Sequence, residues 1–217
     1  MEVKIIAITQ PLIKTEDGSR NLTPEELIVY NARVSNPSNQ LNIETAPKLL
    51  AYCIKNKHWS VFEQADFTVM IKTSRAIAAQ ILRHKSASFQ EFSQRYAIAT
   101  EFEPIEFRLQ GKTNRQVGDE TLNSPEFAEE IDMVIGECKD LYDRMIAEGI
   151  AKECARFILP LNTQTTLYMK NNVRSWIHYL EVRCSKHAQK EHRLIANEIK
   201  KIFIENFPNT AKALEWS

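Results

Sequence analysis

Residues 83–96 read Arg83-His84-Lys85-Ser86-Ala87-Ser88-Phe89-Gln90-Glu91-Phe92-Ser93-Gln94-Arg95-Tyr96. These fourteen residues hold three fixed cations, a histidine, a carboxylate and three serines, and apolar segments lie on both sides. Charges are seldom buried without partners. The stretch must therefore lie at the surface while its flanks build a core, and any fold for this chain has to present it there. Its cations make an anionic ligand the natural occupant.

The flanks are long enough to build that core. The chain has 217 residues, and no linker rich in Gly, Ser or Pro divides it, so one domain spanning residues 1–217 is expected. A chain of this length buries roughly 70% of its unfolded surface. Twenty-eight basic residues balance 28 acidic ones. A net charge of zero argues against a general nucleic-acid coat or a membrane-surface protein, which carry a basic excess. Neither nucleic acid nor membrane is expected as a partner. The four cysteines (Cys53, Cys138, Cys154, Cys184) form no CxxC pair. Reduced, packed thiols are expected, with no metal site. No apolar run approaches the roughly eighteen residues of a membrane span, and no secretory signal is evident. On those readings a cytoplasmic protein is expected.

Strand and helix signals alternate along the chain. Residues 3–9 are β-branched and read as a strand. Thr23-Pro24-Glu25-Glu26 is a capping-box start, with Leu27, Tyr30 and Val34 as the expected buried face. A second helix is expected over 45–56, a strand over 66–72, and a helix from Ser74 that delivers Arg83-His84-Lys85 at its C-terminal end. The stretch after it is expected to run irregularly toward strand-like 96–99, with a further strand at 106–109 and a loop over 110–123. The longest helix starts at Ser124-Pro125 and stops at Gly149. A short helix, a strand over 163–169, a turn at Asn171-Asn172, and helices over 173–183 and 187–206 complete the chain. The fold class is α+β: a mixed β-sheet flanked by helices.

Two further polar groups accompany the central stretch: His58 with Ser60 and Glu63, and Asn172 with Arg174, His178 and Arg183. Arg174 and His178 are four apart on one helix and share a face. A helix start at Asn172 offers backbone N–H groups to a phosphate. Taken singly, each of these residues is more often a solvated or paired side chain than a functional one. Glu91 could simply neutralise Arg95 or Lys85.

Together they resemble a known family. Arg83-His84-Lys85, seven residues and Ser93 are similar to the Arg-His-Arg, seven residues, Ser signature of flavin-dependent thymidylate synthases. Glu91-Phe92-Ser93-Gln94-Arg95-Tyr96 resembles the continuation of that signature. Gln80, His58-x-Ser60-x-x-Glu63, Ala155-Arg156 with Leu159-Pro160, and Asn172-x-Arg174-Ser175 leading to Arg183 extend the likeness. Three positions depart from it: Lys85 replaces an arginine, while His178 and Gln90 replace asparagines.

The resemblance implies reductive methylation of dUMP to dTMP. The one-carbon donor is 5,10-methylenetetrahydrofolate, and FAD carries hydride from NADPH. It implies a homotetramer with sites between subunits and no cysteine nucleophile. Arg183 would stabilise the ionised uracil, Ser93 would sit near the reacting carbon, and His58 near the flavin. For FAD it implies Ser60, Arg83, His84, Lys85, Glu91, Asn172, Val173, Arg174 and His178. For dUMP it implies Gln80, Ile81, Leu82, Arg83, Glu91, Phe92, Ser93, Gln94, Arg95, Arg156 and Arg183. Read from the residues alone, the same basic stretch also suits a non-catalytic nucleotide- or RNA-binding protein, its aromatics stacking on bases. A family member that binds FAD without turnover is a further alternative.

Overall fold

Strands β2 (Asp66–Ser74) and β6 (Gln164–Asn172) form the centre of the structure, a computed structural model describing residues 1–99 and 101–216. They pair antiparallel along their whole length, with Val69 opposite Met169 and Ile71 opposite Leu167. Those four side chains and Phe67 are fully buried. Alternate residues of both strands are partly or largely exposed, the period-two pattern of a sheet covered on one face. The outer strands are β1 (Glu2–Ile8), beside β2, and β3 (Ser88–Glu91), beside β6. The sheet order is therefore β1-β2-β6-β3, antiparallel throughout. A separate hairpin pairs β4 (Arg108–Gln110) with β5 (Gly118–Thr121).

Around this sheet lie α1 (Pro24–Ala32), α2 (Ala46–Lys55), α3 (Arg75–Ile81), α4 (Pro125–Ala147), α5 (Lys152–Ala155), α6 (Val173–Arg183), α7 (Lys190–Asn206) and α8 (Pro208–Ala213). The α+β class expected from the sequence holds, with the sheet antiparallel rather than mixed. The covered face of the sheet meets α6 and α7. Trp176 stacks on Phe67 at 4.6 Å between centroids, and its Nε1 donates to the Phe67 carbonyl at 3.2 Å. Phe203 and Phe207 close around the same ring. Among the described residues no helix is long and apolar enough to cross a membrane.

Local expectations fail where a distant partner intervenes. Helix α1 starts as expected: Thr23 Oγ1 accepts from the Glu26 N–H, and Glu26 Oε2 accepts from that of Thr23. Its buried face, however, is Glu25, Ile28 and Val29, while Val34 is 69% exposed. Ile28 and Val29 enter the core, and Glu25 is buried on the same side. Its carboxylate accepts from the Thr210 N–H at 2.7 Å, Thr210 Oγ1 at 2.8 Å and Asn209 Nδ2 at 2.9 Å, at the start of α8. A carboxylate at a helix N-terminus meets unpaired N–H groups and the positive end of the dipole.

Asn171-Asn172 is no turn. Both residues end β6 opposite Phe67 and Asp66, and α6 follows directly. Residues 88–91 form an edge strand instead of an irregular run, because β6 offers them a ladder. Residues 96–99 form no strand, and β5 lies inside the expected 110–123 loop. Cys154 is exposed, against the expected packing, and all four thiols are free.

Candidate active site

Because β2 and β6 are antiparallel, the helices that follow them start at opposite ends of the sheet and run toward each other. The residues just beyond α3 thus meet the last residue of α6. Arg183 Nε donates to His84 Nε2 at 2.8 Å. A guanidinium has only donors, so His84 must be neutral, with its proton on Nδ1. The electrostatics agree. Burial, with the positive charges of Arg183, His178 and Arg83 beside it, pushes His84 down to about 4. Among the described residues Arg183 makes no ion pair, so its charge and both Nη groups remain available.

Behind this contact lies a polar chain that sequence reasoning missed. The His84 ring stands edge-on to Tyr179 at 4.8 Å. Tyr179 Oη lies 3.0 Å from His192 Nε2, and His192 Nδ1 lies 3.5 Å from Gln80 Oε1. Gln80 Nε2 donates to Gln189 Oε1 at 2.6 Å. Burial drives the Tyr179 phenol well above its ordinary value and His192 down to about 3. One signal could have found it: His192 falls in step with Ile195, Ile199 and Phe203 on the buried stripe of α7, where a polar side chain needs partners.

Glu91 is held at the end of β3. Thr165 Oγ1 donates to its Oε1 at 3.0 Å, and Arg75 Nη1 lies 3.2 Å from the same oxygen. Neither Arg95 nor Lys85 is its partner. Arg75, the first residue of α3, is another residue that spacing in the sequence did not reveal.

Beside α6 opens a cleft of about 480 Å³, lined by Trp59, Glu63, Ser86, Arg174, Ser175, Ile177, His178 and Glu181. Arg174 and His178 share it, as their spacing predicted. Arg174 is paired with Glu63 across it. Asn172 caps its own helix, with Oδ1 accepting from the Ser175 N–H at 2.9 Å, and the Val173 N–H goes to the Ala65 carbonyl at 2.9 Å. Two N–H groups at this helix start are thus taken internally, which weakens it as a phosphate site. The Val173 and Ile81 side chains are both in the core.

The remaining residues are spread over the rim. Arg83, Lys85, Ser93 and Arg95 are exposed, and the three cations make no ion pair among the described residues. Leu82 is half-buried. Phe92 faces a smaller cleft of about 220 Å³ with Lys72, Glu101 and Gln164. Gln94 is buried, with its Nε2 unpartnered among the described residues. His58 and Ser60 are exposed at the mouth of the 3₁₀ turn Trp59–Glu63, and His58 stands edge-on to Tyr52. Arg156 is not brought to the group. It lies in the turn after α5, over the Phe157 ring.

The donor set suits an aromatic, phosphate-bearing ligand. Unpaired cations at the α3 end and the apolar sides of Trp59 and Ile177 supply both requirements.

The model of the family described as "Thymidylate synthase complementing protein" matches residues 19–209. The chain is 52% identical to the flavin-dependent thymidylate synthase of Synechocystis and 50% identical to the probable flavin-dependent thymidylate synthase of Paramecium bursaria Chlorella virus 1, each over the whole of both chains. It is 34% identical to the flavin-dependent thymidylate synthase of Thermus thermophilus over 88% of this chain and 72% of that one. Its fold is similar to that of the UMP/dUMP methylase PolB from Streptomyces cacaoi, solved with 5-Br dUMP. The TM-score is 0.80 at 21% identity, covering 99% of this chain and 94% of the other.

Proposed function

The chain belongs to the flavin-dependent thymidylate synthase family, and on that premise we propose which of its residues carry the reaction. The reaction is the reductive methylation of dUMP to dTMP with FAD as cofactor. Full-length relatives bearing this name leave the RNA-binding alternative without support. In our reading 5,10-methylenetetrahydrofolate is the one-carbon donor and NADPH the reductant, used by one domain spanning the whole chain. When bound and reduced, FAD supplies the hydride.

Carbon-5 of uracil has to become electron-rich before it attacks the one-carbon electrophile. Arg183 stabilises the anionic form of the ring. Its Nε is held by His84, and its Nη groups have no partner among the described residues. That half-buried, unpaired guanidinium is the observation that carries the proposal, since fixed donors act most strongly where water is excluded. No thiolate is needed. Burial pushes the neighbouring Cys184 thiol up, with Lys200 opposing only in part.

Gln80, Arg83, Glu91, Ser93 and Arg95 hold dUMP, with Ile81, Leu82, Phe92 and Gln94 shaping its surroundings and Arg156 arriving from another subunit. Glu91 Oε1 is engaged by Arg75 and Thr165, leaving Oε2 for a ligand hydroxyl. Ser93 positions and polarises. Arg83, Lys85, Arg174 and His178 would hold FAD, with His58, Ser60, Asn172 and Val173 around it. His84 serves through Arg183, because a neutral ring already accepting a hydrogen bond adds no positive charge for a diphosphate. The exposed cations of residues 83–95 suit sites completed by a neighbouring subunit, in a homotetramer. A cytoplasmic setting suits the free thiols.

Arg183→Ala tests this reading. Formation of dTMP falls by about 10²–10³-fold, the effect of deleting one fixed donor at a developing anion, while the flavin absorbance of the purified protein persists. Undiminished turnover would rule out the role of Arg183.

A further inference from the structure

His192 has no part in the reaction as assigned above, yet it is fully buried on the apolar stripe of α7 and is polar on both ring edges. We propose that His192 is a positioning residue that fixes Gln80 on one side and, through Tyr179 and His84, Arg183 on the other. The proposal rests on the reading that Gln80 and Arg183 hold the nucleotide.

The hydrogen-bond directions follow from the partners. Gln80 directs Nε2 at Gln189 Oε1, so its own Oε1 faces His192. An amide oxygen only accepts, so His192 carries its proton on Nδ1 and donates it. His192 Nε2 then has a lone pair and accepts from the Tyr179 hydroxyl at 3.0 Å. Burial, together with Arg183, His84 and Arg83 nearby, keeps the ring neutral, as this pattern requires.

Each arm has a consequence at the nucleotide. An amide has two donor hydrogens and two acceptor sites. Gln189 takes one donor of Gln80 and His192 one acceptor, leaving one of each. Which way these point depends on His192, because a flipped amide would exchange donor for acceptor. On the other arm, the Tyr179 ring is the wall against which His84 stands, and His84 sets the direction of Arg183 through Nε. Without its hydroxyl anchor the Tyr179 ring is placed only by packing, as against Trp176, so the wall it offers His84, and through His84 the guanidinium, is less fixed.

Two near-isosteric replacements separate the arms. An asparagine amide reaches the place of Nδ1 and a glutamine amide that of Nε2. His192→Gln keeps a partner for Tyr179 and releases Gln80; His192→Asn keeps a partner for Gln80 and releases Tyr179. With FAD, NADPH and 5,10-methylenetetrahydrofolate saturating, His192→Gln is expected to raise KM for dUMP about tenfold with kcat little changed. His192→Asn is expected to lower kcat about tenfold with KM little changed. Tyr179→Phe reproduces the fall in kcat, and combining it with His192→Asn adds nothing further.

A merely structural histidine predicts lower melting temperatures in both variants with no split between KM and kcat, and that result would overturn the proposal. So would full additivity of Tyr179→Phe and His192→Asn. Gln80→Ala tells the possible failures apart. A raised KM there with none in His192→Gln overturns the role of His192 alone. No change in either overturns the nucleotide reading of Gln80 together with it.

Discussion

Helices α7 and α4 carry the same kind of sequence and meet opposite fates. Both are amphipathic, with apolar residues at steps of three and four. On α7 the stripe of Ile195, Ile199 and Phe203 is wholly buried against the sheet and α6. On α4 only Tyr142 is buried, while Phe127 is 54%, Val134 56% and Leu141 41% exposed. An apolar stripe announces that a face will be covered; it does not say by what. The sheet of the same chain covers α7. The α4 stripe stays largely exposed; exposed apolar surface marks interaction sites, and we propose this face for the subunit contact of the tetramer.

Three measurements would break or sharpen the contrast. The largest effect belongs to the α7 side. Trp176→Ala removes the ring stacked on Phe67 and should cost about 3–5 kcal/mol in urea denaturation. A loss near zero would mean the sheet–helix packing is not what holds the chain together.

Acid comes next. His84, just beyond α3, and His192, on α7, are both held well below the ordinary histidine value, and none of the five histidines lies on α4. A histidine whose folded value is lowered favours the folded state when neutral. Its contribution is full above the unfolded value near 6.5 and is lost as pH falls toward about 4 for His84 and about 3 for His192. For His192 alone the loss between pH 7 and pH 5 is about 2 kcal/mol. It should shrink in His192→Gln, as read from denaturation midpoints at the two pH values.

The smallest effect on the chain belongs to α4. Val134→Asp should change per-chain stability by no more than about 0.5 kcal/mol while lowering the assembly's mass in sedimentation. An unchanged mass would remove this face from the proposed interface.

Much of the site was legible before the fold. The spacing of Arg83, His84 and Ser93, the shared face of Arg174 and His178, and the helix ending at Arg183 are short-range patterns. The capping box of α1 and the bounds of α6 were legible for the same reason: each is decided by neighbours within a turn or two. The illegible features all join residues far apart. Glu25 reaches Thr210, Arg75 shares Glu91 with Thr165, and His192 joins Tyr179 to Gln80. The step of His192 with Ile195, Ile199 and Phe203 says that it needs a partner, but nothing in the sequence around it says which.

By itself, then, the sequence determined which segments would be strands and helices around the sheet's centre, and which polar stretch had to stay outside the core. Only the tertiary structure decided the partners. A buried donor or acceptor has to be satisfied wherever it lands, and the group that satisfies it is the one packing brings close. The pair formed by Arg183 and His84 is 99 residues apart along the chain and 2.8 Å apart in space. Periodicity and capping cannot express that distance; two antiparallel strands, each turning into a helix, produce it.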